Sequence, residues 1–472
     1  MLRCNAESTG QSGLRNGCIT RVMRRFCRSR TASRTTPMAR SPAPHRVASR
    51  RSTPGTRTAP STPRPRRVSA RPGSTRTVSP PLRQCRRSDM DAVTLGMAKA
   101  DAARKYNLSG LPTAVGARSK TFDKARSLYN VKGTNTFAIR AALANALTGA
   151  GLATLTFQGD SKTAGFGTNA GVSINGAASM PGRIRSLLAS RGYPIAGTGP
   201  VFCNQNPGGG TGDSRWAFSA GWTVSGLNAN FASANTAGRT ATFTSDLPGT
   251  VVEIYSLSNS APFQYTIDGG APVTVTPSGT NSLHVTTLTG LSDTIHTIVI
   301  TTTGTATVYV LAVNVRRTVG LQILNNAICG STTINWAGGT QFYQSKRVAE
   351  LMPTDGVFIS LGTNDGRSAV PIATYKTNLG TLIAGHQALG RQVGLIVPSP
   401  VSTAQISASD WNARIAAMYD VADTYDLPLV DLTDVYGTYD AANAKGLFFD
   451  NLHEKEAGYA TNAATVLGAL AA

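Results

Sequence analysis

The chain has 472 residues, enough for two or three domains, and a formal net charge of +22. Nearly all of that charge is local: residues 1–90 hold 21 Arg, no Lys and two acids, a net of +19, whereas the other 25 basic and 22 acidic residues leave 91–472 at +3. The near-neutral remainder gives no electrostatic reason to expect nucleic acid or an anionic membrane as a main partner, and no apolar run approaches the ~20 residues of a membrane span.

Residues 1–90, rich in Arg, Ser, Thr and Pro, have too few clustered apolar side chains to offset the entropy of ordering and are expected to be a disordered arm. Three readings of this arm stay open. It could bind nucleic acid or an anionic surface, or act as a targeting peptide, although it lacks the apolar core of a secretory signal. It could also lie upstream of the working start, since Arg without Lys is what GC-rich DNA encodes and Met90 or Met97 can serve as a start. Four of the six cysteines fall in it; Cys203 and Cys329 have no metal-ligand spacing and either pair or stay buried, burial being the expectation.

Asp91–Tyr106 has the spacing of a short helix, and 91–135 is expected to be that helix plus a linker. Phe137–Ala150 follows as an Ala-rich helix stopped by glycine. The apolar run Leu152–Phe157 is a strand leading into Gly159-Asp160-Ser161, and Arg183–Arg191 is an amphipathic helix. From 211 to 317 the texture changes to period-2 stretches rich in Thr, Ser, Gly and Val. Strands are expected at Arg239–Thr244, Thr250–Leu257, Phe263–Ile267, Val273–Thr276, Ser282–Leu288, Ile295–Thr302 and Thr307–Val315, with a hairpin at Asp268-Gly269-Gly270. Such a run of short strands implies an all-β sandwich or jelly roll.

Alternation of helix and strand then resumes. Helices are expected at Gln341–Leu351, Ile372–Leu389, Ser409–Tyr425 and Gly458–Leu470, and strands at Gly356–Leu361, Gln392–Val397 and Leu427–Leu432. Strands separated by helices of this length predict a parallel sheet covered on both faces. The expected organisation is one discontinuous α/β domain, 136–210 and 318–472, with 211–317 inserted into it.

A serine at the carboxyl end of a buried strand is a candidate nucleophile, which needs a base, an orienting acid and donors for an oxyanion. Of five histidines, His45 lies in the arm, His284 and His296 on the β-rich strands, and His386 on a helix without a nearby acid; only His453 has a carboxylate, Asp450, three residues before it. Strand Gly356–Leu361 ends in Gly362-Thr363-Asn364-Asp365, where an Asn amide would face the same crevice as the serine turn. Asn325–Thr332 offers Gly330, whose N–H can approach an oxyanion closely.

Gly159-Asp160-Ser161 with Thr163 and Gly165, Gly330 in Ala-Ile-Cys-Gly-Ser, Gly362-x-Asn364-Asp365 and Asp450-x-x-His453 together resemble, in order, the four blocks of the SGNH (GDSL-type) hydrolases. The resemblance covers roughly 150–200 and 320–472. A second Gly212-Asp213-Ser214 follows a glycine run without a preceding apolar strand and reads as a decoy. The resemblance implies a flavodoxin-like three-layer αβα sandwich with no cofactor and no metal. Within it Ser161 would be the nucleophile, His453 the base and Asp450 its orienting acid, with an oxyanion hole from the Ser161 and Gly330 N–H groups and the Asn364 side chain. The long Ser161–Gly330 interval resembles family members with a β-sandwich at this junction, among them cell-wall polysaccharide O-acetylesterases. That implies an esterase acting through an acyl-enzyme on an acylated glycan or other ester. Trp216, Trp222, Tyr255 and Tyr265 could stack on sugar, or form the core of the β-rich region. The alternatives are a lipase of longer acyl chains, or a virion tail component, since Asp91–Tyr106 resembles segments of phage tail proteins. No secretory signal is recognisable, and the expected setting is extracellular or virion-associated.

Overall fold

The computed structural model describes residues 122–471 apart from 125, 169–173, 175 and 207–211. The basic arm and the expected helix Asp91–Tyr106 lie outside the described residues.

Five parallel strands organise the molecule: Leu152–Gly159, Gly320–Ala327, Gly356–Ser360, Gln392–Val397 and Leu429–Asp431. Numbered in chain order, they lie side by side as 2-1-3-4-5, the flavodoxin-like arrangement. Their apolar runs are continuous because both faces are covered. Phe358 turns to a cluster with Leu155, Phe157, Ile184 and Val466 under helices Phe137–Thr148, Met180–Ser190 and Glu456–Ala471. Val357 and Ile359 turn the other way, to Leu379, Ile383 and Met418 of helices Ile372–Gln387 and Ala408–Thr424. The result is the expected mixed α/β layering around a mostly parallel sheet. Helix Phe137–Thr148 ends where the sequence indicates, with Gly149 at φ 71°.

Two differences from expectation concern the sheet's edges. The linker before 135 holds Phe122–Asp123 and Leu128–Tyr129, which add an antiparallel edge beside Leu429–Asp431; Leu128 and Tyr129 bury their side chains there. At the other edge, the short strand Ile195–Gly197 runs parallel to Gly320–Ala327, and Val308–Arg316, Gly249–Leu257 and Leu283–Thr294 continue antiparallel in the same 14-stranded sheet. A second, five-stranded antiparallel sheet comprises Trp216–Phe218, Thr240–Thr244, Phe263–Ile267, Val273–Val275 and Thr297–Thr302. Its Phe243, Phe263 and Ile300 share one apolar cluster with Val252, Ile254 and Val310 of the long sheet. The β-rich region is thus hydrogen-bonded to the parallel strands through a shared sheet. Leu283–Thr294 runs six residues past its expected end, through Gly290 at φ 75°.

Candidate active site

Ser161 is positioned by the turn at the end of its strand. A Cβ on Gly159 would lie 2.6 Å from the Ser360 carbonyl oxygen, so only glycine lets the strand turn here. Asp160 follows in extended conformation as N-cap of the four-residue helix Ser161–Ala164, its carboxylate accepting the Lys162 N–H at 3.0 Å. Gly165, at φ 95°, closes the helix. Ser161 therefore stands at the carboxyl edge of the sheet, beside the point where the order reverses between strands Leu152–Gly159 and Gly356–Ser360.

His453 reaches it from the far end of the chain. The Asp450 carboxylate accepts the Leu452 and His453 N–H groups at 2.7 and 2.6 Å, a side-chain-to-backbone turn that folds the imidazole onto the same carboxylate. His453 Nδ1 lies 2.9 Å from Asp450 Oδ2, and Nε2 lies 2.9 Å from Ser161 Oγ. A carboxylate only accepts, so Nδ1 carries the proton and Nε2 is left to accept from the serine hydroxyl. Burial pushes the Asp450 carboxyl up, but the hydrogen bonds from the imidazole and the two N–H groups outweigh it and hold it at about 2. The Phe166 ring packs on the imidazole with centroids 4.5 Å apart.

Gly330 and Asn364 come from the loops after the neighbouring strands. Gly330 has φ 81°, which favours glycine, and among the described residues no acceptor meets its N–H. Asn364 opens the helix Thr363–Arg367 and donates through Nδ2 to the Ser331 carbonyl at 3.1 Å, with Asp160 Oδ2 at 3.4 Å. Asp365 ties the two loops by accepting the Thr333 N–H at 3.0 Å and the Thr333 hydroxyl; burial raises its carboxyl. Ser161, Gly330, Asn364 and His453 line one cleft of about 350 Å³, with Phe166, Leu227 and Arg367 also on its walls.

Behind the serine lies a cluster that the sequence reading missed. Lys162, 4% exposed, places Nζ 2.7 Å from Ser399 Oγ, 3.0 Å from the Ser399 carbonyl and 3.8 Å from Glu454 Oε1. Ser399 donates in turn to Glu454, which also accepts from Asn462 at 3.0 Å. Burial pushes the Lys162 ammonium down and the Asp160 carboxyl up to about 7. The neighbour of the serine is thus tied to the neighbour of His453. The signal available was a Lys inside an otherwise small, buried segment.

Other candidates are placed elsewhere. In Gly212-Asp213-Ser214 the carboxylate is held by Arg215 through two 2.7 Å hydrogen bonds, and Ser214 is exposed. Trp216, Tyr255 and Tyr265 are buried and fill core, the second of the two readings of these aromatics, and Trp222 is half-buried. His386 donates from Nε2 to Gln158 and accepts at Nδ1 from Arg391; burial lowers it to about 4. Cys203 and Cys329 are separate buried thiols. Among the described residues no group of His, Cys, Asp and Glu side chains is arranged to hold a metal ion, and no helix is long and apolar enough to cross a membrane.

Residues 290–461, a little over a third of the chain, match the GDSL-like lipase/acylhydrolase family; the matched stretch carries Gly330, Asn364, Asp450 and His453, and Ser161 lies N-terminal to it. Among solved structures, a peptidoglycan O-acetylesterase matches with a TM-score of 0.52 and 16% identity over 71% of this chain and 95% of its own. A Bacillus subtilis protein (0.31, 17%, over 54% and 88%) and a lipase/acylhydrolase from Enterococcus faecalis (0.27, 23%, over 32% and 75%) match less well. At these identities the first likeness is one of fold, and the two lower scores add nothing to it. No curated protein matches the chain.

Proposed function

We propose that the chain is a serine ester hydrolase that removes acetyl or another short acyl group from a glycan or cell-envelope substrate through an acyl-enzyme. The observation that carries this reading is the hydrogen-bonded line from Asp450 through His453 to Ser161, 2.9 Å at each step, opening into a cleft that Gly330 and Asn364 share.

In the proposed reaction the Ser161 hydroxyl gives its proton to His453 Nε2 as Oγ attacks the ester carbonyl carbon. The oxyanion is received by the Ser161 and Gly330 N–H groups and by the Asn364 amide hydrogen that exchanges its 3.4 Å contact with Asp160 for the substrate; each such donor is worth about 3 kcal/mol in related chemistry. Asp450 stabilises the imidazolium without taking its proton. His453 then protonates the departing alcohol oxygen as the C–O bond breaks, and accepts a proton from the water that hydrolyses the acyl-serine, releasing the acid and restoring Ser161. The hydrolase domain in this proposal is 136–210 with 318–472, and 211–317 is inserted between them. An extracellular or virion-borne setting belongs to the same proposal, because an envelope polymer is met there.

The test is hydrolysis of p-nitrophenyl esters from acetate to octanoate, then of acetylated glycans, by the full chain and its Ser161→Ala variant. Ser161-dependent turnover that favours acetate is the expected result. A preference for octanoate moves the assignment to a lipase, and absence of turnover on every ester and glycan removes it.

A further inference from the structure

Leu227 belongs to the antiparallel region, yet it lines the cleft beside Ser161 and is 36% exposed. The loop that presents it is tightly held. Asn204, 1% exposed, directs its amide at the carbonyls of Ser225, Gly226 and Ala229, 2.7–3.2 Å away. Ser225 Oγ donates to the Ala229 carbonyl at 2.8 Å and accepts the Phe231 N–H at 3.0 Å. The Ser345 N–H donates to the Asn228 carbonyl at 3.1 Å, pinning the loop to the helix beneath it. The backbone on both sides of Leu227 is thus fixed, which sets where its side chain enters the cleft. Its methyl group Cδ2 would lie 3.4 Å from a Cβ built on Gly330, so it stands next to the proposed oxyanion donor.

The direction of the reacting groups gives that side chain a role. A tetrahedral intermediate on Ser161 has four substituents: the serine oxygen, the oxyanion, the alcohol oxygen and the acyl chain. The oxyanion belongs at Gly330 and Asn364. The alcohol oxygen must face His453 Nε2 to be protonated, on the side where Phe166 packs against the imidazole. The acyl chain takes the remaining direction; of the apolar side chains lining the cleft, Phe166 packs on the imidazole and Leu452 directly precedes it in the chain, whereas Leu227 is set against Gly330.

We infer that Leu227 is the end wall of the acyl pocket and restricts the substrate to esters of short acids. This rests on the esterase reading above. The region that carries it is then part of the active site as well as an extension of the sheet.

The experiment compares kcat/KM of the full chain, Leu227→Ala and Leu227→Trp on p-nitrophenyl acetate, butyrate and hexanoate, and on acetate esters of small and bulky alcohols. Leu227→Ala is expected to lower the acetate-to-hexanoate ratio about tenfold, and Leu227→Trp to raise the acetate-to-butyrate ratio by about the same factor, since a methylene or two in an apolar pocket discriminates on this scale. Acyl ratios within about twofold of the parent in both variants, or a shift in the alcohol series instead, would overturn the assignment while leaving the esterase intact. A parent chain with no Ser161-dependent turnover would overturn both.

Discussion

The parallel α/β region and the antiparallel β-rich region each contain a Gly-Asp-Ser sequence and an Asp–His pair, and only one region puts them together. In the parallel region Asp160 caps a helix, Ser161 faces the crevice, and His453 Nε2 is open to the serine hydroxyl. In the antiparallel region Asp213 is captured by Arg215 and Ser214 points away from the core. There His296 Nδ1 meets Asp268 at 2.7 Å, but Nε2 is closed off by the Gly249 and Ser292 carbonyls, each 3.0 Å away. An imidazole facing a carboxylate on one side and carbonyls on the other donates at both nitrogens and has no lone pair to offer. A motif therefore acquires chemistry from the strand end that carries it, at the point where a parallel sheet leaves a crevice.

The sharpest way to break this contrast is to remove each serine. Ser161→Ala is expected to lower kcat on p-nitrophenyl acetate by about 10⁴- to 10⁶-fold, the range over which a nucleophile's loss is felt, with the thermal midpoint within a degree or two of the parent because one hydroxyl is removed without a change of fold. Ser214→Ala should change neither rate nor midpoint. A Ser214 variant that loses activity would invert the comparison. Asp450→Asn comes next: an amide facing Nδ1 favours the wrong tautomer, and a fall in kcat of roughly 10³- to 10⁴-fold is expected. With its carboxyl held at about 2, Asp450 stays ionised through ordinary acid conditions, so an acidic limb of kcat/KM near neutrality should not belong to it. Finding that Asp450→Asn removes such a limb while keeping the rate would contradict this.

The parallel region was largely legible, for a physical reason. Strands buried on both faces must be apolar throughout, so Gly356–Ser360 and Gln392–Val397 stand out, and the residues just past their ends are candidates by position alone. Strand Gly320–Ala327 was missed because Gln322, Asn325 and Asn326 interrupt its apolar run. Each of these is buried or half-buried with a partner brought by the fold: Gln322 donates to Asn314 at 2.9 Å, Asn325 to the Ala164 carbonyl at 3.2 Å, and Asn326 accepts from Asn230 at 3.1 Å. Polar partners distant in sequence leave no local trace. The same holds for the continuation of the sheet into the β-rich region: which strand borders Ile195–Gly197 is set by tertiary pairing, and local alternation shows only that strands exist. Leu227 was illegible too, since an isolated leucine in a turn says nothing about the cleft it enters.

Continuity of the sheet can itself be broken. Ile254 lies in the cluster joining the long antiparallel strands to the five-stranded sheet. Ile254→Ala should lower stability by about 2–5 kcal/mol, as for other fully buried large-to-small changes. If the shared sheet couples the two regions, the variant unfolds in one transition at a lower urea midpoint, with esterase activity and tryptophan fluorescence lost together. Two separated transitions, with activity surviving the first, would show that the β-rich region melts as a unit of its own.

The smallest effect distinguishes the two Asp–His pairs by pH. Burial pushes the His296 imidazole toward the neutral form, but the Asp268 hydrogen bond and the Gly249 and Ser292 carbonyls outweigh it, so its pKa is raised above the ordinary 6.5. A histidine raised on folding binds more protons in the native chain than in the unfolded one between the two values, so native stability falls as pH rises through that window. The contribution is fully present below about 6.5 and is lost as pH climbs through the folded value. His296→Gln retains a donor for the carbonyls and removes the titration. The difference in urea midpoint between parent and His296→Gln should therefore narrow as pH is raised from 6 to 9, at constant ionic strength because Asp268 is itself partly exposed. A difference that stays constant or widens would mean that His296 is held neutral in the folded chain. The antiparallel pair would then resemble the one at Ser161 in protonation as well as in composition, and closure of Nε2 by the two carbonyls alone would separate them.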